Sequence, residues 1–192
     1  MKRLFINACL RNNSRTRLLA EYYLSLVQGE TVEVNLSFRP VAPLTEEMLS
    51  FRDGCVARGD YTDAYFNTAR QFAEADEIVI AAPCWDLGFP AMLKAYLESV
   101  MILGLTFRYS ESGIPQGLCR AKKLIYITTA GGPLLPEFDH GFSYIRSLAV
   151  AYWGIPESVC YSAEGLDIAN ANIEEILYRT KQKILMDVCS VN

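Results

Sequence analysis

Short apolar runs alternate with longer amphipathic stretches along the whole chain. Five runs have the length and composition of β-strands that are buried on both faces: residues 3–8, 31–36, 78–82, 123–129 and 158–162. Apolar side chains recur at helical spacing in residues 14–28, 61–73, 91–102, 141–152 and 172–188. Strands that alternate with helices predict an α/β fold, with a parallel sheet and right-handed crossovers.

The segments outside these patterns are predicted to be loops. Residues 39–44, 53–60 and 131–139 carry no strand or helix signal, and residues 104–118 predict a small extended excursion before the fourth strand. No repeat, low-complexity tract or linker divides the sequence. We therefore expect one domain over residues 1–192.

Composition and charge narrow the function classes. The chain has 192 residues, 18 Lys+Arg against 22 Asp+Glu, and a net charge of −4. This acidic balance argues against nucleic-acid and anionic-membrane partners, which favour a basic surface. No apolar run approaches the roughly 18 residues of a membrane span. The first seven residues predict a strand rather than a signal peptide, and we expect a cytoplasmic protein.

The six cysteines stand apart from one another in the sequence. None belongs to a C-x-x-C pair, and none is near His140, which is the only histidine. Structural zinc normally needs clustered Cys and His, and a chain of this length does not need a disulfide framework. We therefore expect free thiols in a reducing compartment and no metal site.

Ligands of open parallel sheets bind beyond the carboxyl ends of the strands, so the loops after the first, third and fourth strands are of interest. The first of these loops, residues 9–16, is rich in hydrogen-bond donors and leads into a helix. Residues 1–20 carry five basic residues and no acidic one. A helix start favours an anion such as a phosphate, which Arg11, Ser14 and Thr16 would also bind. The alternative is that its Asn and Ser residues only cap the helix.

The loop after the third strand is aromatic. Trp85 and Phe89 follow a buried strand, Pro83 and Pro90 fix the shape of the loop, and Gly88 allows another group to approach the backbone. A rigid aromatic wall suits a flat ring. The alternative is that Trp85 or Phe89 turns inward and packs on a helix.

The loop after the fourth strand contains Gly131 and Gly132, which permit a close approach of the backbone and positive φ angles. Its N–H groups would then face the carbonyl oxygens and ring nitrogens of a ligand, although an ordinary turn is the alternative. The three loops together offer a phosphate site, an aromatic wall and a strip of backbone donors. This combination fits a mononucleotide with a flat heterocycle, such as FMN.

The stretch A-D-E-I-V-I-A-A-P-C-W-D-L-G-F-P-A-M-L-K-A-Y-L-E at residues 75–98 carries a family resemblance. It is followed by G-L-T-F-R-Y at residues 104–109 and by Gly113, Gly117 and Leu118. In these motifs and their order, the sequence resembles the FMN-dependent NAD(P)H quinone reductases and azoreductases. The resemblance implies a flavodoxin-like, doubly wound, five-stranded parallel sheet with helices on both faces, bound FMN, and NADH or NADPH as co-substrate.

The resemblance also assigns cofactor-binding residues by the part of FMN that each set contacts. The phosphate set is Cys9, Arg11, Ser14, Arg15 and Thr16. The set beside the ribityl chain and the isoalloxazine ring is Pro83, Cys84, Trp85, Asp86 and Leu87. The set at the pyrimidine end is Thr129, Ala130, Gly131 and Gly132. Members of this family are commonly homodimers in which the partner chain closes the site, so the resemblance implies a homodimer here.

Three residues complicate this assignment. Asp86 stands where the family usually has Asn, and an ionised carboxylate cannot donate a hydrogen bond and disfavours a reduced, anionic flavin. Cys9 replaces a frequent Ser, and a thiol is a poorer donor to phosphate. His140 is a weak catalytic candidate because it follows the ring-binding loop and histidine is the usual side chain for proton transfer, although a lone histidine is more often structural.

The leading hypothesis is an FMN-dependent oxidoreductase that transfers a hydride from NAD(P)H to a flat quinone, azo or nitroaromatic acceptor. One alternative is a flavodoxin-type electron-transfer protein without nicotinamide turnover. The Arg- and Asn-rich first loop and the mild net charge of −4 are not typical of that class. The other alternative is a flavin-free binding module, for which Asp86 and Cys9 leave room.

Overall fold

A parallel sheet forms the centre of the computed structural model, which describes residues 1–190. The strands of this part of the chain are β1 (Lys2–Asn7), β2 (Glu30–Asn35), β3 (Glu77–Ala81), β4 (Phe107–Tyr109), β5 (Pro115–Gly117), β6 (Lys123–Thr129) and β7 (Glu157–Ala163). Five of them form the sheet in the order β2-β1-β3-β6-β7, with every neighbouring pair parallel. β4 and β5 pair as a small antiparallel ribbon. The five predicted strands and the predicted excursion are confirmed.

Helices cover both faces of the sheet. They are α1 (Arg15–Leu26), α2 (Glu46–Arg58), α3 (Asn67–Glu74), α4 (Ala91–Val100), α5 (Phe142–Leu148) and α6 (Ile173–Cys189). α1 and α6 pack on one face through a cluster that includes Leu19 and Ile184. α3, α4 and α5 pack on the other face through a cluster that includes Phe72, Leu93 and Ile145. This arrangement is the predicted doubly wound α/β fold.

Burial of the central strands explains why their pattern is continuous rather than alternating. All five residues of β3 are buried, as are six of the seven residues of β6. β2 lies at the edge of the sheet and is only partly buried. No helix within residues 1–190 is long and apolar enough to cross a membrane.

The predicted loop at residues 53–60 is wrong, because α2 continues to Arg58. The side chain of Thr45 caps the start of α2, and Gly59 ends it with a φ of +66°. Only Cys55 of this helix is buried. The apolar stripe that normally reveals a helix is therefore too weak in α2 to be recognised from the sequence.

Two predicted helices differ in their bounds from the observed ones. The predicted helix at residues 61–73 becomes a 3₁₀ turn at Ala64–Phe66 followed by α3. The predicted helix at residues 141–152 is α5 followed by a π-helical turn at Ala149–Trp153. The ribbon packs closely on this turn, and a Cβ atom at Gly117 would lie 2.0 Å from the backbone nitrogen of Gly154. Only glycine fits at that contact.

A buried ion pair lies near the amino ends of the strands. The fully buried Arg3 guanidinium donates to the Glu77 carboxylate, and it also donates to the Thr31 hydroxyl at 3.2 Å. Glu77 accepts a second hydrogen bond from the Tyr23 hydroxyl at 2.9 Å. Burial, followed by the neighbouring Glu77 carboxylate, raises the pKa of Tyr23. This network therefore joins β1, β2, β3 and α1.

We expect the Arg3→Met variant to lose about 3–5 kcal/mol of unfolding free energy, because it leaves the Glu77 carboxylate buried without its cation. Urea denaturation of the purified protein measures this change. The double variant Arg3→Met/Glu77→Met is expected to lose less than the sum of the two single variants.

The matched control for this measurement is Arg120→Met, which removes an exposed ion pair with Asp76. Its loss is expected to stay within about 1 kcal/mol. An Arg3→Met variant as stable as this control would contradict the importance of the buried pair.

Candidate functional site

A cleft of about 440 Å³ opens at the carboxyl edge of the sheet. Its volume lies in the usual range for small-molecule sites, which is roughly 300–1,000 Å³. Ten of the fourteen predicted cofactor-binding residues line it: Arg11, Ser14, Arg15, Thr16, Pro83, Cys84, Trp85, Thr129, Ala130 and Gly131. The sheet topology thus brings all three predicted loops to one place.

The first turn of α1 forms one end of the cleft. The Ser14 side chain caps this helix by accepting a hydrogen bond from the backbone N–H of Arg17 at 3.3 Å. Within residues 1–190, the backbone N–H groups of Arg15 and Thr16 have no acceptor. Capping and anion binding are therefore compatible in this loop, since the cap leaves two donors of the first turn free.

A buried hydrogen bond fixes this helix start against the sheet. The hydroxyl groups of Thr16 and Thr129 are 2.6 Å apart, and both residues are buried. Cys9 lies deeper and does not line the cleft, because its thiol is directed at the carbonyl oxygen of Ala81 at 3.7 Å. Burial raises the pKa of the Cys9 thiol. The hydroxyl of Thr16 is consequently engaged within the protein.

The loop after β3 folds into a tight hairpin turn beside the cleft. Trp85 and Gly88 exchange backbone hydrogen bonds of 3.3 and 2.8 Å. The two central residues, Asp86 and Leu87, have φ angles of +50° and +64°. Positive φ at both central positions is typical of a type I′ turn, in which Asn, Asp and Gly are favoured and Leu is strained. Asp86 and Leu87 flank the cleft without lining it.

The two aromatic residues of this loop have different environments. Trp85 lines the cleft with 39% of its surface exposed, as expected for a wall against a flat ring. Phe89 is half-buried and packs on Tyr144 of α5, with ring centroids 5.7 Å apart. Trp85 therefore fits the interpretation of an aromatic wall, and Phe89 fits the alternative of an inward side chain packed on a helix.

The loop after β6 is paired with the loop after β7. The N–H groups of Leu166, Asp167 and Gly165 donate to the carbonyl oxygens of Ala130, Gly131 and Gly132 at 3.0–3.2 Å. The N–H groups of Gly131 and Gly132 have no acceptor in the described part of the chain, and Gly131 lines the cleft. Donation from this strip to a ligand stays a prediction.

The expected positive φ angles at Gly131 and Gly132 are not found. Gly131 is required for a different reason, since a Cβ atom there would lie 2.4 Å from a carboxylate oxygen of Asp167. Gly132 does not line the cleft, and nothing lies within 4 Å of the position of its missing Cβ atom.

Sequence analysis missed four residues that line the cleft: Leu10, Asn13, Leu166 and Asp167. The last two belong to the loop after β7, which carries no motif of the kind seen in the other three loops. The signal for it was available, because every strand of a parallel sheet ends at the same edge. Asp167 also approaches Arg15, with 3.9 Å between a carboxylate oxygen and a guanidinium nitrogen, in a solvent-exposed pair.

His140 contributes to the site through its backbone. Its N–H donates to the carbonyl oxygen of Leu87 at 3.0 Å, which ties the loop after β6 to the hairpin turn. Its side chain is exposed. The structure therefore gives His140 a definite part in the shape of the site, while its catalytic role stays a prediction.

Carboxylates surround the half-buried thiol of Cys84, next to Trp85. Burial raises the pKa of this thiol, and the charges of Asp139, Asp86 and Glu164 raise it further. Arg11 and Arg15 lie in the loop at the other end of the cleft. The basic residues of the cleft thus lie at the start of α1, where Asp167 approaches Arg15, and the carboxylates that act on Cys84 lie beside the hairpin turn, outside the cleft lining.

Known proteins resemble this chain over nearly its full length. Residues 1–185 match a family model described as flavodoxin-like fold. The chain is 35% identical over 170 residues to FMN-dependent NADH:quinone oxidoreductase 2 of Clostridium acetobutylicum, covering 86% of this chain and 83% of that protein. It is 31% identical over 182 residues to FMN-dependent NADH:quinone oxidoreductase of Clostridium perfringens, covering 91% of each.

Solved structures show the same fold. An azoreductase from Bacillus anthracis aligns with a TM-score of 0.84 at 23% identity, covering 98% of each chain. An FMN-dependent NADH-azoreductase from Bacillus anthracis, solved in complex with FMN, aligns with a TM-score of 0.80 at 21% identity, covering 100% of this chain and 99% of that one. At these identities the likeness establishes the fold alone.

Strain at Leu87 leads to a prediction. The Leu87→Gly variant should gain about 0.5–1 kcal/mol of unfolding free energy, because the relief of a left-handed leucine exceeds the entropy cost of glycine. Leu87→Val should lose stability, since a β-branched residue tolerates positive φ poorly. Urea denaturation measures both changes.

Leu135 provides the matched control, since it is also exposed but has an ordinary φ of −72°. Leu135→Gly should lose about 0.5–1 kcal/mol. Equal losses in Leu87→Gly and Leu135→Gly would show that the turn is not strained.

Proposed function

Because the chain belongs to the flavodoxin-like family whose model matches residues 1–185, we propose that it is an FMN-dependent oxidoreductase that passes electrons from NADH to a quinone or azo compound. The observation that carries this proposal is the cleft itself. It joins the donors at the start of α1 to an exposed Trp85 and to the free N–H group of Gly131. The names of the quinone oxidoreductase relatives support both FMN and NADH.

The phosphate of FMN fits the basic end of the cleft. The backbone N–H groups of Arg15 and Thr16 and the guanidinium groups of Arg11 and Arg15 would bind it. The helix dipole of α1 adds to this attraction. Cys9 is directed at the sheet and does not line the cleft, so its thiol is not among the groups that would bind the phosphate.

The flat ring fits the other end of the cleft. Trp85 offers an exposed aromatic surface, and Gly131 offers a backbone donor to the polar edge of the ring. The Thr16–Thr129 hydrogen bond holds the two ends of the cleft at a fixed separation. These rigid contacts would orient the ring with little ordering of the protein on binding.

FMN bound in this cleft would supply the redox chemistry, accepting a hydride from a nicotinamide and passing two electrons to an acceptor. The task of the chain is then to bind and orient the ring and to leave one of its faces open to each substrate in turn. His140 stands beside the hairpin turn through its bond to Leu87, and it is the candidate for holding a proton near the ring.

The purified chain, incubated with FMN and then dialysed, is expected to keep a flavin absorbance spectrum. Anaerobic addition of NADH is expected to bleach that spectrum, and a quinone is expected to restore it. Flavin that is retained but not bleached would favour an electron-transfer protein instead. A chain that retains no FMN would favour the flavin-free binding module.

A substitution at the basic end of the cleft tests where the FMN phosphate binds. Arg15→Gln is expected to weaken FMN binding about tenfold and to leave riboflavin binding almost unchanged, because riboflavin lacks the phosphate. The matched control is Arg108→Gln, in the ribbon at the opposite edge of the sheet. Equal losses for FMN and riboflavin in Arg15→Gln would place the phosphate elsewhere.

A homodimer is part of the proposal. Five exposed apolar side chains lie on the loops around the cleft: Leu10, Trp85, Leu87, Leu135 and Phe138. Apolar surface of this kind is typical of a contact with another chain, and a second copy would both cover it and close the site over the flavin.

Sedimentation is expected to give about twice the 21.5 kDa mass of one chain. Phe138→Glu should shift the protein towards the monomer and weaken FMN binding. Tyr178→Glu, on the exposed surface of α6, serves as the control and should leave the dimer intact. A monomeric parent protein would contradict the dimer without affecting the assignment of FMN.

We also propose a reducing compartment such as the cytoplasm. All six cysteines are free, and Cys9, Cys55 and Cys119 are buried in the core. Free thiols persist most readily where glutathione and thioredoxin keep them reduced.

A further inference from the structure

We propose that Asp86, Asp139 and Glu164 form an acidic rim at the ring end of the cleft, which lowers the midpoint potential of bound FMN and favours neutral over anionic acceptors. The proposal rests on the proposed function, since it concerns the flavin and its acceptor. It adds to that function a selectivity for the charge of the electron acceptor.

The three carboxylates come from three different segments of the chain. Asp86 lies in the hairpin turn after β3, and its side chain is exposed to solvent. Asp139 accepts hydrogen bonds from the backbone N–H groups of Gly141 and Phe142, both at 3.1 Å. Glu164 accepts hydrogen bonds from the Leu134 N–H at 2.8 Å and the Ser162 hydroxyl at 2.7 Å. Asp139 and Glu164 are therefore held in place by the backbone around them.

Backbone contacts bring these segments together beside Trp85. His140 donates to Leu87, which places the residue after Asp139 against the residue after Asp86. The Leu134–Glu164 bond joins the same loop to the end of β7. Cys84 lies two residues before Asp86 and lines the cleft next to Trp85, and the charges of Asp139, Asp86 and Glu164 raise the pKa of its thiol. The three carboxylates lie outside the lining of the cleft, beside the place where the ring is proposed to lie.

The acidic rim acts through the change in charge that accompanies reduction of the flavin. A hydride from NADH carries two electrons and one proton, so NADH leaves as NAD⁺ and the ring gains one negative charge until a second proton reaches it. Nearby carboxylates oppose that added charge and lower the midpoint potential of the flavin. The quinone takes the two electrons with two protons and leaves as a hydroquinone. An anionic quinone must approach against the same carboxylates, whereas a neutral one does not.

Asp86 is the member of the rim that can be changed without loss of a structural hydrogen bond. Its φ of +50° suits Asn and Gly as well as Asp, so Asp86→Asn and Asp86→Gly should keep the turn. Asn also restores a hydrogen-bond donor, whereas Gly only removes the charge. Comparison of the two variants separates charge from hydrogen bonding.

The first measurement is the midpoint potential of FMN bound to the full-length protein. Both Asp86 variants should raise the equilibrium constant for two-electron reduction about tenfold, which corresponds to a positive shift of about 30 mV. Glu111→Gln is the control, because it removes a charge from the turn between β4 and β5 at the opposite edge of the sheet. Its potential should equal that of the parent. A shift in Asp86→Asn alone would assign the effect to hydrogen bonding and overturn the rim.

The second measurement compares two acceptors, 2-methyl-1,4-naphthoquinone and the anionic 1,4-naphthoquinone-2-sulfonate, at saturating NADH. The ratio of kcat/KM for the neutral to the anionic quinone should fall severalfold in both Asp86 variants and remain unchanged in Glu111→Gln. In the parent, the ratio should fall as ionic strength rises from about 0.01 M to 1 M, since the screening length shortens from about 30 Å to 3 Å. The salt dependence needs no variant.

These results separate the two levels of the proposal. A parent chain that retains no FMN refutes the proposed function, and the rim with it. A parent chain that retains FMN and is bleached by NADH, but whose potential and quinone ratio do not respond to Asp86→Gly, refutes the rim and leaves the proposed function in place.

Discussion

Parallel alignment of the five sheet strands is the constraint on which the site depends. It sends every strand's carboxyl end to one edge, so that the loops after β1, β3, β6 and β7 meet although they are distant in sequence. The same alignment starts α1 at that edge, with its free N–H groups facing the cleft. The Thr16–Thr129 hydroxyl pair then fixes helix and sheet relative to each other at the point where the loops meet.

Most of the fold could be predicted from the sequence because burial left a clear pattern. The central strands are apolar throughout because both of their faces are covered, and the five strands were all predicted. α2 could not be predicted, since it buries only Cys55 and so lacks a distinct apolar stripe. The π-helical turn after α5 was not predicted either; it packs on the ribbon where Gly154 meets Gly117, two residues that are far apart in sequence.

The site was predictable in its location and less so in its details. Ten predicted residues line the cleft because the strand-end rule needs only the strand positions. Trp85 and Phe89 flank a type I′ turn whose central residues are Asp86 and Leu87, and leucine does not favour that turn. The need for glycine at position 131 arises from Asp167, in a loop that the sequence did not mark as important. The charges of the site were also only partly predictable. The basic residues at the start of the chain are visible in the sequence, whereas the proximity of Asp86, Asp139 and Glu164 to Cys84 is not.

The hydrogen bonds of Asp139 have a consequence for the motion of the site. This carboxylate accepts from two N–H groups at the start of α5, while its neighbour His140 donates to Leu87 in the turn that follows β3. Movement of residues 131–140 away from the cleft would therefore also break the hydrogen bonds at the start of α5 and the bond to the turn after β3. Such an opening would be coupled to local unfolding, and its free energy would set how quickly the backbone amides of this region exchange with solvent.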